Sequence, residues 1–264
     1  MRAVPSHVSD AISRETGAYL TELVARLRAI LGAELVGVYA GGSLALGGYD
    51  PPRSDLDIAA VSRDTLPDET KRDVTAGLRH ESLPCPARGL ELVVYAEHTV
   101  RTGTREAAYE LNLNTGGSMP FHVSFAPGDG EAEHWYAIDR AVIRDHGRAL
   151  LGPPPAQLFA ALPQWMLVDL LVDSVRWHER SGMAHDDDAV LNACRALRYA
   201  AEGAWSSKPD AAEWARGRVA DGDLVSAAVA ARAGPGAPLD RRRVVDFLEA
   251  ARRRLEAGAA GRHA

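Results

Sequence analysis

Residues 39–61 read YAGGSLALGGYDPPRSDLDIAAV. Two carboxylates, Asp55 and Asp57, head the apolar run LDIAAV, downstream of a glycine-glycine-serine turn. Side chains alternate across a strand, so the spacing predicts that both acids point to one face, close together. Two such charges repel, and burial sharpens the repulsion. A cation between them relieves it. Oxygen ligands on a stiff strand suit Mg2+, which takes one or two carboxylates and completes its shell with water and phosphate oxygens. Read alone, the pair is equally compatible with a strand mouth open to water.

Two neighbouring features bear on that choice. LVGVYA at 35–40 reads as a buried strand and runs directly into Gly41, Gly42 and Ser43. Glycines there let backbone N–H groups approach a ligand, and a helix starting after them favours an anion. The turn is a candidate phosphate cradle, although it is neither GxxxxGK[ST] nor GxGxxG. The second feature is Glu91, the only charge in GLELVVY. Burying a carboxylate in such a run is costly unless it is paired or near a metal. An edge strand with one exposed position would account for it. A strand that turns Glu91 toward Asp55 and Asp57 would make it a general base or a third metal ligand.

Outward from this stretch, apolar residues Tyr19, Leu20, Leu23, Val24, Leu27, Ile30 and Leu31 recur at helical spacing over 10–32, with Gly32 to close the helix. Strands are expected at 35–40, 55–62, 89–97 and 119–126, and helices at 67–81 and 131–147. LLGPPPAQLF at 150–159 is a boundary signal, with three prolines after a glycine. Beyond it every periodic segment is helical: 159–180, 189–203, 209–220, 224–233 and 240–256. The expected architecture is an α+β domain over 1–150, followed by an all-α helical bundle over 156–264, with a cleft between them. The arginine runs at 241–243 and 252–254 read as a solvated helix face.

Composition narrows the function. The chain has 264 residues, 46% hydrophobic and 25% charged, with a net charge of −6. That balance lacks the basic footprint of a nucleic-acid binder and is compatible with a cationic substrate. Cys85 and Cys194 are the only cysteines and lack metal-ligand spacing, which fits a reducing, cytoplasmic setting. The apolar runs are shorter than a membrane span, and the first residues lack a signal-peptide core. No apolar stripe is left over for a partner subunit, so a monomer is expected.

Gly42-Ser43, then Ser54-Asp55-Leu56-Asp57, then Glu91 on a later strand form a set. It resembles the DNA polymerase β-like nucleotidyltransferases in order and context. The resemblance narrows in WHERSGMAHDDDAVLNACRALRYAAEGAWSSKPDAAEWA at 177–215. There Arg195 on a helix, Lys208 and the helix start at 209–215 are similar to the helical domain of streptomycin/spectinomycin adenylyltransferases. The linker RDHGRALLGPPP also resembles that family's. The resemblance implies a nucleotidyltransferase-type mixed sheet, and a C-terminal helical domain that closes the ATP and substrate cleft. The implied reaction transfers AMP from ATP to a hydroxyl of an aminoglycoside-type antibiotic, releases pyrophosphate and confers resistance. Asp55 and Asp57 would hold two Mg2+ ions, with Glu91 beside them as base and ligand. Gly42, Ser43 and Ser54 would contact phosphates. Arg195 and Lys208 would reach the triphosphate. Trp177 and Asp186, with Glu91, would meet the drug, and Glu179 is a weaker candidate.

One departure is specific. The streptomycin-modifying enzymes carry a tryptophan near the region that here reads YELNLNTGG at 109–117, where Glu110, Asn112 and Asn114 stand instead. This weighs against streptomycin and leaves spectinomycin or another small hydroxylated acceptor open. Two rivals keep the fold and change the role. One is a nucleotidyltransferase acting on protein or RNA ends, the RNA case calling for a basic surface that the net charge does not supply. The other is a nucleotide-binding module without turnover, against which the intact Glu91 argues.

Overall fold

The computed structural model describes residues 13–128, 132–180, 186–234 and 238–260. The expected helix start at 10–12 and residues 181–185 lie outside them. The chain divides into two compact units. The first takes residues 13–103, 108–128 and 142–160, and the second takes 104–107, 132–141 and the chain from 161 onward. The change of unit thus falls at 160/161, a few residues past the proline run.

The first unit is built on a six-stranded sheet in the order β5-β4-β3-β2-β1-β6. Its strands are β1 (Leu35–Ala40), β2 (Leu56–Ser62), β3 (Leu90–Ala96), β4 (Leu111–Gly116), β5 (Met119–Ser124) and β6 (Arg148–Leu151). β2 and β3 run parallel and every other neighbouring pair is antiparallel. The parallel pair needs a crossover, and α3 (Asp68–Leu78) lies in that connection. α1 (Arg14–Leu31) opens at Ser13, whose Oγ accepts the N–H of Thr16 at 3.1 Å.

Alternation along the strands divides the sheet into two faces. Leu56, Ile58, Ala60, Leu90, Leu92, Val94, Leu111 and Leu113 point to one face, where they pack with Leu20, Leu23, Leu27 and Leu31 of α1 and Val74 and Leu78 of α3. Leu23 is fully buried, and its truncation to alanine costs about 2–5 kcal/mol. The intervening residues, Asp57 and Glu91 among them, therefore point to the other face. On that side Tyr39 meets Phe159 edge-on at 5.1 Å and donates to the carbonyl of Pro153 at 3.0 Å.

Three expected strands, 35–40, 55–62 and 89–97, are present, the second starting at Leu56. The expected 119–126 strand is the return arm of a hairpin whose outgoing arm, β4, was not expected. β6 is a further edge strand in the segment read as linker, paired with β1. The short helices α2 (Gly42–Ala45), α4 (Glu97–Thr102) and α6 (Pro155–Leu158) complete this unit. α5 (His134–His146) belongs to the second unit up to residue 141 and to the first from 142.

The second unit is helical: α7 (Gln164–Arg180), α8 (Asp186–Glu202), α9 (Lys208–Arg216), α10 (Gly222–Ala233) and α11 (Arg241–Ala260). Its core includes Val168, Leu171, Val175, Val190, Leu197, Val225, Val244, Leu248 and Leu255. Among the described residues no helix is long and apolar enough to cross a membrane.

Candidate active site

Asp57 on β2 and Glu91 on β3 are direct register partners across the parallel pair. The two carboxylates therefore stand side by side on the sheet face opposite the core. Register carries the row onward: Glu91 pairs with Asn114 of β4, and Asn114 with His122 of β5. Of the polar residues at 109–117, Asn114 is thus the one directly beside Glu91. Glu110 is committed elsewhere, accepting from the N–H of Leu66 at 3.0 Å and pairing with Lys71 at 3.2 Å.

The glycine turn is fitted to Asp57. The N–H of Gly41 donates to the carbonyl of Asp57 at 2.8 Å. Gly42 sits at φ +48°, and a Cβ there would lie 1.7 Å from Oδ2 of Asp57. Only glycine admits both that backbone and that neighbour. The hydroxyl of Ser43 is buried without a hydrogen-bond partner, an unmet polar atom in the turn expected to contact phosphate. The helix after the turn, α2, is a single turn of four residues, so its dipole contributes little and the backbone N–H groups carry the anion argument.

Asp55 has a different partner. It lies one residue before β2, and both its oxygens are taken by Arg88: Nε to Oδ1 at 2.7 Å and Nη2 to Oδ2 at 2.5 Å. Among the described residues no three His, Cys, Asp or Glu side chains are arranged to hold a metal ion. The structure thus pairs Asp57 with Glu91 and engages Asp55 with an arginine. Ser54 serves the turn ahead of the strand: its hydroxyl accepts the N–H of Asp50 at 3.0 Å, and its own N–H reaches the Asp50 carbonyl at 2.7 Å.

In the helical unit, Arg195 of α8 donates from Nε to the carbonyl of Ser206 at 3.0 Å. Lys208, the first residue of α9, places Nζ 2.8 Å from Oδ1 of Asp188. Arg232 of α10 reaches the same oxygen at 2.6 Å. Burial pushes the Lys208 ammonium below the ordinary lysine value; Asp188 opposes that, while Arg232 and Arg195 add to it. Lys208 and Arg232 share one carboxylate oxygen, and the charge of Arg195 also acts on Lys208, which leaves an excess of positive charge that suits a polyanion. Arg195 and Lys208 were candidates from the sequence; Asp188 and Arg232, which meet Lys208 here, were not among them.

Trp177 is exposed on α7, its ring edge-on to Trp135 at 5.6 Å and to His178 at 5.1 Å. Asp186 opens α8 and pairs with Arg241 at 2.5 Å. Glu179 pairs with Arg252 at 2.9 Å. Trp177 therefore offers an accessible aromatic face, while both acids already hold arginines.

Comparison with known proteins points to the same family. Residues 157–253 match the family model described as "Aminoglycoside adenylyltransferase, C-terminal domain". The chain is 25% identical over 218 residues to the aminoglycoside (3'') (9) adenylyltransferase of Shigella flexneri, covering 80% of this chain and 82% of the relative. The Escherichia coli protein of the same name matches at 25% over 218 residues, covering 80% and 81%. Over about four fifths of its length the chain is similar to the aminoglycoside adenylyltransferases. The fold agrees across nearly the whole length. The spectinomycin adenyltransferase AAD(9) from Enterococcus faecialis, solved with ATP and spectinomycin, superimposes with a TM-score of 0.71 over 91% of this chain and 99% of its own, at 16% identity. The expected adenylyltransferase family and the α+β fold followed by helices are both borne out.

Proposed function

We propose that this chain transfers AMP from ATP to a hydroxyl of an aminoglycoside-type antibiotic and releases pyrophosphate, a resistance reaction. The observation that carries the reading is the pairing of Asp57 with Glu91 beside the turn that Gly42 opens. A sugar or cyclitol hydroxyl is a weak nucleophile and needs a base at the moment of attack. Glu91 takes that proton. The hydroxyl oxygen forms its bond to the α-phosphorus, the bond from that phosphorus to the bridging oxygen breaks, and pyrophosphate leaves.

The donor set fits a divalent cation. Asp57 and Glu91 supply two adjacent carboxylates, and Mg2+ sites with nucleotides commonly use one or two. Asp57 and Glu91 would hold Mg2+, which would supply positive charge against the charge that develops on the phosphate oxygens. The backbone of Gly42 and the unmet hydroxyl of Ser43 would take phosphate oxygens, with Ser54 shaping the loop beneath. Arg195 and Lys208, joined by Arg232, would answer the triphosphate charge. Trp177 would offer a ring face to cationic groups of the acceptor, and Asp186 would pair with them by exchanging Arg241. With no tryptophan at 109–117 and Asn114 beside Glu91, spectinomycin is the favoured acceptor.

Pyrophosphate release from ATP and Mg2+ tests this, run with spectinomycin, with streptomycin, with other aminoglycosides and with no acceptor. The reading requires release that depends on a drug, with spectinomycin preferred. ATP binding with no release for any drug would overturn it and direct the search to protein or RNA acceptors.

A further inference from the structure

The side chain of Arg88 lies outside the roles that the transfer reaction assigns. Its backbone is fixed on both sides. The Arg88 N–H donates to the carbonyls of Pro51 and Ser54, each at 3.2 Å, and its carbonyl accepts from Ser118 at 3.3 Å. Gly116 packs so tightly that a Cβ there would lie 2.4 Å from the Arg88 oxygen. The loop that carries Asp55 and the turn between β4 and β5 thus hold Arg88 in place. Its guanidinium meets Asp55 as a fork, one N–H on each oxygen, with the Asp55 side chain 16% exposed. Such bidentate pairs are the strong ones, and a partly dehydrated site strengthens them.

We propose that Arg88 competes with the divalent cation for Asp55 and so keeps this carboxylate out of the metal site until nucleotide arrives. This rests on the nucleotidyltransferase reading of the same face. A dication taking an oxygen of Asp55 must break at least one of the two N–H···O bonds and stand near a fixed positive charge. Metal alone supplies nothing in return for the displaced guanidinium. A triphosphate does, because its oxygens accept the same fork. The first cation therefore has Asp57 and Glu91, and Asp55 is recruited only with the nucleotide. The absence of any three-carboxylate arrangement among the described residues agrees with this division.

Binding of Mn2+ alone, as a probe for Mg2+, tests the proposal by calorimetry or paramagnetic relaxation without reference to turnover. Arg88→Met is expected to bind Mn2+ about tenfold more tightly than the parent, the scale of losing one charged hydrogen bond's competition. Arg88→Lys keeps the charge and loses the fork, serves as the second variant should Arg88→Met fail to fold, and is expected to bind with an affinity between those of the parent and Arg88→Met. In an Asp55→Asn background, Arg88→Met is expected to change the affinity less than about threefold, because the contested ligand is gone. Equal or weaker binding in both arginine variants would overturn the proposal and leave the transfer reading intact. If Asp57→Asn binds Mn2+ as the parent does, the metal is not at this face, and both readings fall.

Discussion

Gly42 and Asp57 exclude any larger residue from one another's space. A Cβ on Gly42 would stand 1.7 Å from Oδ2 of Asp57, and the Gly42 backbone is left-handed at φ +48°. The glycine turn and the acid thus form one unit, and a change in the first is a displacement of the second. Gly47 provides the control, being left-handed at φ +73° with nothing within 4 Å of its Cβ position. Alanine at either position should cost roughly 1–2 kcal/mol in urea unfolding from the backbone alone. Only Gly42→Ala should also lose transfer activity, by about 100-fold, since displacing a catalytic group by an ångström has that scale. Equal activities in the two variants would show that Asp57 does not depend on the turn.

Lys208 carries two expectations. Its replacement by methionine should weaken ATP binding about 10- to 100-fold, the value of one or two charged hydrogen bonds, with little effect on acceptor affinity. It should also change the alkaline pH dependence of stability. The folded pKa is lowered by burial, so just below 10.5 the unfolded chain binds a proton that the folded chain does not. Stability therefore gains from this group as pH rises through that window, and the gain should vanish in Lys208→Met. Chemical unfolding of both proteins at a series of alkaline pH values measures the difference.

Between pH 6.5 and 4, two histidines contribute a pH dependence. Burial lowers His134 to about 4, and burial followed by the charge of Lys208 lowers His178 to about 4. The unfolded chain protonates both near 6.5, so their contribution to stability should fall as pH drops from about 6.5 to 4 and level off below. Each group contributes at most about 1.4 kcal/mol per pH unit in that window. Nε2 of His134 is buried without a partner, so His134→Phe should keep the parent's stability at pH 8 while shedding part of the acid dependence. A variant as acid-sensitive as the parent would show that His134 is not one of the groups responsible.

The parts of this molecule that were legible in its sequence are those where local pattern and chemistry agree. Continuous apolar runs marked β1, β2 and β3, because a strand buried by its neighbours needs no polar face. Glu91 was visible because a lone charge in such a run demands a reason. β4 was missed although Leu111, Asn112, Leu113 and Asn114 alternate with period two, because the Asn and Gly residues around them also read as a loop. β6 was lost to the glycine and prolines that follow it, and an edge strand needs few residues to pair. The arginine fork on Asp55 was out of reach for another reason. Arg88 and Asp55 are separated by a whole crossover, and only the parallel register brings their ends together.

The proposed transfer depends above all on Glu91 as its base. Its most direct test is Glu91→Gln, which keeps shape and removes the proton acceptor. Nucleotide binding would be followed by calorimetry with ATP and Mg2+, and transfer by spectinomycin-dependent pyrophosphate release. ATP binding within a few-fold of the parent is expected, with transfer reduced by about 100- to 10,000-fold, the usual contribution of a general base. Transfer at the parent's rate in a folded Glu91→Gln protein would contradict it.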